Sequence, residues 1–123
     1  MKQLLLVEDR AVFRECLALL IAPRLGCADA QAGTPEEARR IVAGAKDGVR
    51  LAVVDLDLPG GNAAGLIGEL REAAKDAPVL AYTDGRDPRA RARALRAGAE
   101  EVLSLHEPAR RLLDAAARLG GVA

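Results

Sequence analysis

Apolar residues in this chain come in short runs separated by amphipathic stretches, an alternation that sets the expected architecture. Residues 4–7 form a four-residue run that reads as a buried strand. Residues 10–25 read as a helix with Val12, Phe13, Cys16, Leu17, Leu20 and Ile21 on one face, ended by Pro23 and Gly26. A weak, Ala-rich second strand is expected over 27–31. It is supported by the strong helix start that follows, Thr34-Pro35-Glu36-Glu37: Thr34 as cap, Pro35 at the first helical position, Glu37 completing a capping box. That helix is expected to reach residue 45. The third strand spans 49–54, and the turn cluster Pro59-Gly60-Gly61-Asn62 opens a helix over 63–74. Residues 78–82 make strand four, Asp87-Pro88 opens a helix through 96 closed by Gly98, 101–104 is a short fifth strand, and 108–119 is the last helix. Five strands alternating with five helices predict an α/β fold, a parallel sheet covered on both faces with right-handed crossovers.

Two of the strand runs end in acid. Leu51-Ala-Val-Val-Asp55-Leu-Asp57 and Leu4-Leu-Leu-Val7-Glu8-Asp9 each place carboxylates at the carboxyl end of a buried strand, where open parallel sheets build ligand sites. If the strands are neighbours, Glu8, Asp9 and Asp55 meet at one rim. At an effective dielectric of about 20, unit charges about 5 Å apart repel by roughly 3 kcal/mol per pair. Such a trio calls for a counter-ion, and a divalent cation with oxygen ligands is the natural one.

Composition narrows the field. At 123 residues the chain is expected to be one domain spanning 1–123. Phe13 and Tyr82 are its only aromatics, so Leu, Val, Ile and Ala fill the core and base-stacking platforms are lacking. Lys plus Arg equals Asp plus Glu at 18 each, which argues against duplex DNA as a charge-driven partner. Charge is nevertheless segregated: residues 86–96 carry five arginines and one acid, and this basic face reads first as solvated surface. The opening apolar run is too short for a signal peptide or a membrane span, so no membrane role and a cytoplasmic location are expected. Cys16 and Cys27 are expected as buried, reduced thiols rather than a disulfide or zinc site.

Several of these residues match a known family. The opening Val7-Glu8-Asp9-Arg10-Ala11-Val12-Phe13-Arg14-Glu15, Asp55 followed by Pro59-Gly60, and Ala97-Gly98-Ala99 before the fifth strand resemble the receiver domain of two-component response regulators, over nearly the whole chain. The opening is similar to receivers that precede a helix-turn-helix output domain. The resemblance implies a doubly wound, flavodoxin-like (βα)5 fold with strand order 2-1-3-4-5. It implies Asp55 as the phosphoacceptor for a histidine kinase, and Mg²⁺ held by Glu8 and Asp9 directly or through water, with Asp55 and the backbone carbonyl of Asp57. Thr83 would be the hydroxyl that reports phosphorylation. It further implies a signalling module rather than an enzyme, with helix four, strand five and helix five as a partner or homodimer surface. There Asp114, Glu107 or Glu100 would answer Arg93 or Arg96 across a two-fold axis. The chain shows no helix-turn-helix segment, so this domain is expected not to bind nucleic acid directly, whether it is a stand-alone regulator or the front half of a transcription factor.

The pattern is broken at four positions. The lysine expected near the end of strand five is Leu105, followed by His106 instead of proline; the small residue after Thr83 is Asp84; and the aromatic three before the lysine position is Val102. Two readings result: an aspartate switch at Asp55, and a phosphorylation-independent interaction module that retains the acids. The departures tip the sequence reading slightly toward the second. The run Val54-Asp55-Leu56-Asp57-Leu58 also resembles the DxD loop of haloacid-dehalogenase-type phosphatases, but that loop belongs after a first strand in a larger domain. A dinucleotide site is disfavoured, because no GxGxxG follows the first strand.

Overall fold

A computed structural model describes residues 1–122. In chain order the elements are β1 (Gln3–Val7), α1 (Ala11–Leu25), β2 (Asp29–Ala32), α2 (Pro35–Gly44), β3 (Val49–Asp55), α3 (Ala63–Ala73), β4 (Val79–Thr83), α4 (Ala90–Ala97), β5 (Glu101–Ser104) and α5 (Ala109–Leu119). The strands form one parallel sheet in the order β2-β1-β3-β4-β5, as expected. β1 and β3 are adjacent, with Val7 opposite Val54, so the acids that follow them emerge side by side.

Alternation along the buried strands feeds two cores. Leu5, Val7, Ala52, Val54, Val79 and Ala81 face α2, α3 and α4, packing on Leu66, Ile67 and Leu70. Leu4, Leu6, Leu51, Val53, Leu80 and Tyr82 face α1 and α5, packing on Leu17, Ile21, Leu112 and Ala116. Val102, where the resemblance implied an aromatic, is buried in the first core.

The expected inward face of α1 needs correction. Leu17, Ala18, Ile21, Ala22 and Leu25 are buried, whereas Val12 is 80% exposed, Leu20 is exposed, and Phe13 is half-buried. Cys16 is exposed and Cys27 half-buried; both are free thiols, so the expected burial fails for Cys16. The reason is that α1 is apolar nearly all round, so periodicity alone does not single out a face. Small Ala18 and Ala22 let the helix lie close on the sheet, and the contact stripe rotates toward them. Gly26, at φ 64°, ends the helix by donating its N–H to the Ala22 and Pro23 carbonyls.

Boundaries elsewhere moved by one to three residues. Thr34 caps α2 by accepting from the Glu37 N–H at 3.2 Å, and Glu37 bonds back to the Gly33 N–H at 3.1 Å. α4 begins only at Ala90 because Asp87 and Pro88 form the preceding turn, with the Asp87 side chain accepting the Arg89 N–H at 2.9 Å. No helix among the described residues is long and apolar enough to cross a membrane.

Candidate functional site

Strand alternation and register carry a small set of polar groups to the carboxyl rim of β1, β3 and β4. Among the described residues the only buried polar or charged side chains, tyrosine aside, are Glu8, Asp55 and Thr83, and all three sit there. Exposed Asp9 joins them: Glu8, Asp9 and Asp55 each bring a carboxylate oxygen within 4.8 Å of the others. This acidic cluster could bind a metal ion. Its donors suit a hard divalent cation, since all are oxygens and Asp9 stands open to solvent.

The acids differ sharply in their partners. Glu8 is fully buried and saturated. Its Oε1 accepts the Tyr82 hydroxyl at 2.6 Å and Arg10 Nη2 at 2.9 Å; its Oε2 accepts the Arg10 backbone N–H at 2.7 Å and Nε at 3.1 Å. Burial pushes the Glu8 carboxyl up, but the bonds from Arg10 and Tyr82 outweigh it and hold the group below its ordinary range. Both Glu8 oxygens are thus committed to partners within the chain. Arg10, bonded to Glu8, stays firmly charged, and burial together with Glu8 keeps the Tyr82 hydroxyl protonated.

Asp55 is 2% exposed and accepts the Asp57 N–H on Oδ1 at 2.8 Å. Burial pushes its carboxyl up to about 7; the negative charges of Glu8 and Asp57 add to the rise, while the Asp57 N–H and Arg10 oppose it. It is thus an acid close to neutrality on its own, which added positive charge would ionise fully.

Asp57 has an unforeseen task. Its carboxylate accepts the Thr83 hydroxyl at 3.1 Å and the Asp84 N–H at 2.8 Å, tying the β3–α3 loop to the end of β4. Thr83 also accepts the Gly85 N–H at 3.1 Å. The hydroxyl is therefore engaged with Asp57, not turned toward Asp55. The carboxylate of Asp84 is drawn away by Arg86, whose Nε lies 2.6 Å off. His106 donates from Nε2 to the Asp84 carbonyl at 2.7 Å and does not join the acids. Leu105 lines an apolar groove between α1 and α5 with Phe13, Leu17, Leu20 and Leu112.

Sequence reasoning found the acids and Thr83 but missed Arg10, Phe13 and Tyr82 as parts of the site. The Arg10 guanidinium lies 4.6 Å from the Phe13 ring centre. Phe13 meets Tyr82 edge-on at 5.8 Å, and Tyr82 returns to Glu8. A signal was present: Arg10 directly follows the acid pair, and Tyr82 is the β4 partner of Asp55.

Asp114, Glu107 and Glu100, expected to answer Arg93 or Arg96 across a two-fold axis, have partners in their own chain. They pair with Arg24, Arg111 and Arg71 respectively, and Arg93 pairs with Asp87.

An open, doubly wound parallel sheet with oxygen donors gathered at its carboxyl rim is the architecture of an α/β ligand- or ion-binding domain. The family model of the response regulator receiver domain matches residues 4–117, and the chain belongs to that family, the receivers of two-component response regulators. No curated protein matches it in sequence. Among solved structures it is similar to a response regulator protein from Burkholderia pseudomallei with a phosphorylated aspartic acid, calcium ion and citrate. Identity is 27% and the TM-score 0.80, over 94% of this chain and 66% of that one, just under two thirds of its length. A CheY-like receiver domain protein from Methanospirillum hungatei JF-1 is 19% identical, TM-score 0.81, over 94% and 90% of the two chains. The beryllofluoride-activated NtrC4 receiver domain dimer is 23% identical, TM-score 0.79, over 97% and 96%. These last two likenesses bear on the fold.

Proposed function

We propose that this receiver works as an aspartate switch: Asp55 takes a phosphoryl group from a histidine kinase, with Mg²⁺ held at the same rim. The observation that carries the reading is the confinement of buried polar side chains to one place. Burying a charged group costs several kcal/mol unless it is paired, and this chain buries Glu8, Asp55 and Thr83 together. Asp9 and Asp55 would hold the cation with the Asp57 carbonyl, and Glu8 would orient it through water. The metal, when bound, supplies charge neutralisation for the transferring phosphoryl group. An Asp55 oxygen attacks phosphorus, the new O–P bond forms as the bond to the donor's leaving group breaks, and the leaving group departs with that electron pair.

The phosphorylated aspartic acid and calcium ion of the Burkholderia protein support this reading by analogy. Thr83, one residue beyond the β4 partner of Asp55 and bonded to Asp57, would exchange that bond for one to a phosphoryl oxygen. The exchange would free the Asp57 carboxylate and loosen its hold on the β4–α4 loop. Output through the α4, β5 and α5 face, including a homodimer, fits the charged surface there. Two unpaired thiols fit a reducing, cytoplasmic setting. The second reading, a phosphorylation-independent module, draws on Leu105, which continues an apolar groove where a cation would serve the switch.

Incubation with acetyl phosphate and Mg²⁺ followed by intact-mass measurement tests the switch. A gain of one phosphoryl group that is lost in Asp55→Asn supports it. An unmodified wild-type chain contradicts it and favours the second reading.

A further inference from the structure

A phosphoryl group on Asp55 would bring about two further negative charges to a rim that already holds Glu8, Asp9 and Asp57. A divalent metal offsets only part of this, so the source of protein-borne positive charge matters. The chain's three lysines, Lys2, Lys46 and Lys75, line one hollow with Val49 and Ala77 at the opposite, amino end of the strands. None can serve. Arg14 turns to the Glu8 carbonyl at 2.7 Å and to Gln31 at 3.0 Å rather than to a carboxylate of the rim, Arg86 pairs with Asp84, and His106 bonds the Asp84 carbonyl. Arg10 remains.

Its placement is constrained on three sides. Glu8 fixes it through Nε and Nη2, its own backbone N–H grips the same carboxylate, and the Phe13 ring lies at 4.6 Å. Of the five guanidinium N–H groups, two are used on Glu8, leaving three for a further acceptor. The side chain is 55% exposed, so it has room to turn. It already exerts a charge effect on Asp55.

We propose that Arg10 is the protein-supplied cation for the phosphoryl group on Asp55, positioned by Glu8 and Phe13. This rests on Asp55 being the phosphoacceptor. Arg10 keeps all its protons throughout; it contributes charge-assisted hydrogen bonds to the phosphoryl oxygens and forms no covalent bond. Glu8 thereby acts less as a metal ligand than as the anchor of this guanidinium, and the Tyr82 hydroxyl holds Glu8 in place.

The test is the initial rate of phosphoryl-Asp55 formation from acetyl phosphate with Mg²⁺, measured for wild type, Arg10→Gln, Arg10→Lys, Leu105→Lys and Arg10→Gln/Leu105→Lys. Loss of one charge-assisted interaction predicts a fall of about tenfold or more in Arg10→Gln, with Arg10→Lys recovering most of it. Leu105→Lys should raise the rate far more in the Arg10→Gln background than in wild type, because the two cations would do the same task. A merely structural role of Arg10 would not be repaired by an ammonium at residue 105, just past β5. Should Arg10→Gln leave Glu8 unpaired and the chain unfolded, Glu8→Gln/Arg10→Gln is compared with Glu8→Gln alone, so that loss of the Glu8 charge is common to both and the difference reads Arg10. Equal rates in wild type and Arg10→Gln, or the same gain from Leu105→Lys in both backgrounds, would overturn the role of Arg10 alone. A wild type that is never labelled overturns the phosphoacceptor reading itself, and the inference falls with it.

Discussion

Replacing Asp55 by Asn should stabilise the domain in metal-free buffer, and the size of the gain follows from where the carboxyl sits. Burial, Glu8 and Asp57 push its pKa from 3.8 to about 7. Between those values the folded chain holds a proton that the unfolded chain has released, so stability falls as pH rises from about 4 to 7 and stays low above that. At about 1.4 kcal/mol per pH unit the ceiling is about 4 kcal/mol. Relaxation and water entry around an acid coupled to Glu8 reduce this, and a gain of about 1–3 kcal/mol at pH 8 is expected for the neutral, nearly isosteric Asn. The Asn side-chain oxygen can still accept the Asp57 N–H now bonded to Asp55. For a domain of this length, that corresponds to a Tm higher by about 5–10 °C. Thermal melts of both proteins from pH 4 to pH 8 in chelator provide the assay. The two curves should converge near pH 4 and separate toward pH 8, and added Mg²⁺ should narrow the gap by stabilising the wild type alone. A gain independent of pH, or an Asn variant no more stable at pH 8, would refute the claim that Asp55 carries an uncompensated charge.

Other consequences are equally direct. Tyr82→Phe removes the 2.6 Å hydroxyl donor to a fully buried carboxylate and should cost about 1–3 kcal/mol in urea unfolding; an unchanged midpoint would mean that Arg10 alone satisfies Glu8. Thr34→Ala deletes the cap of α2 and should cost about 1 kcal/mol in urea unfolding; an unchanged midpoint would mean that the bond between Glu37 and the Gly33 N–H holds the helix start alone. Sedimentation equilibrium of the phosphorylated or beryllofluoride-bound chain should show self-association through α4, β5 and α5, and a monomer at every concentration would count against the homodimer.

The parts of this account that sequence could reach share a physical trait: they are dictated by local pattern. β1 and β3 are short runs rich in Leu and Val, buried on both faces as central strands of a parallel sheet are, and the meeting of the acids at their ends follows from strand adjacency. The capping box at Thr34 is local as well. The face of α1 was not legible, because Val12, Leu19 and Leu20 are as apolar as the residues that pack, and only the fit of Ala18 and Ala22 against the sheet decides. The bond between Thr83 and Asp57 joins residues 26 apart in sequence, and that between Tyr82 and Glu8 joins residues 74 apart. Such pairs depend on rotamers and register, not on spacing. Arg10 lay in plain view beside two acids, yet its partner within that pair is set by Glu8 turning inward and Asp9 outward.

If, as proposed, Asp55 receives a phosphoryl group at the acid rim, the change passes through Thr83 to α4. A ¹⁵N NMR titration with Mg²⁺ and then beryllofluoride reads both events in one experiment. Fast shifts are expected at Glu8, Asp9 and Asp55 with Mg²⁺, then slow-exchange changes at Thr83, Asp84 and along α4 and β5 as Thr83 leaves Asp57. A spectrum that responds to Mg²⁺ but not to beryllofluoride, or to neither, would contradict that proposal.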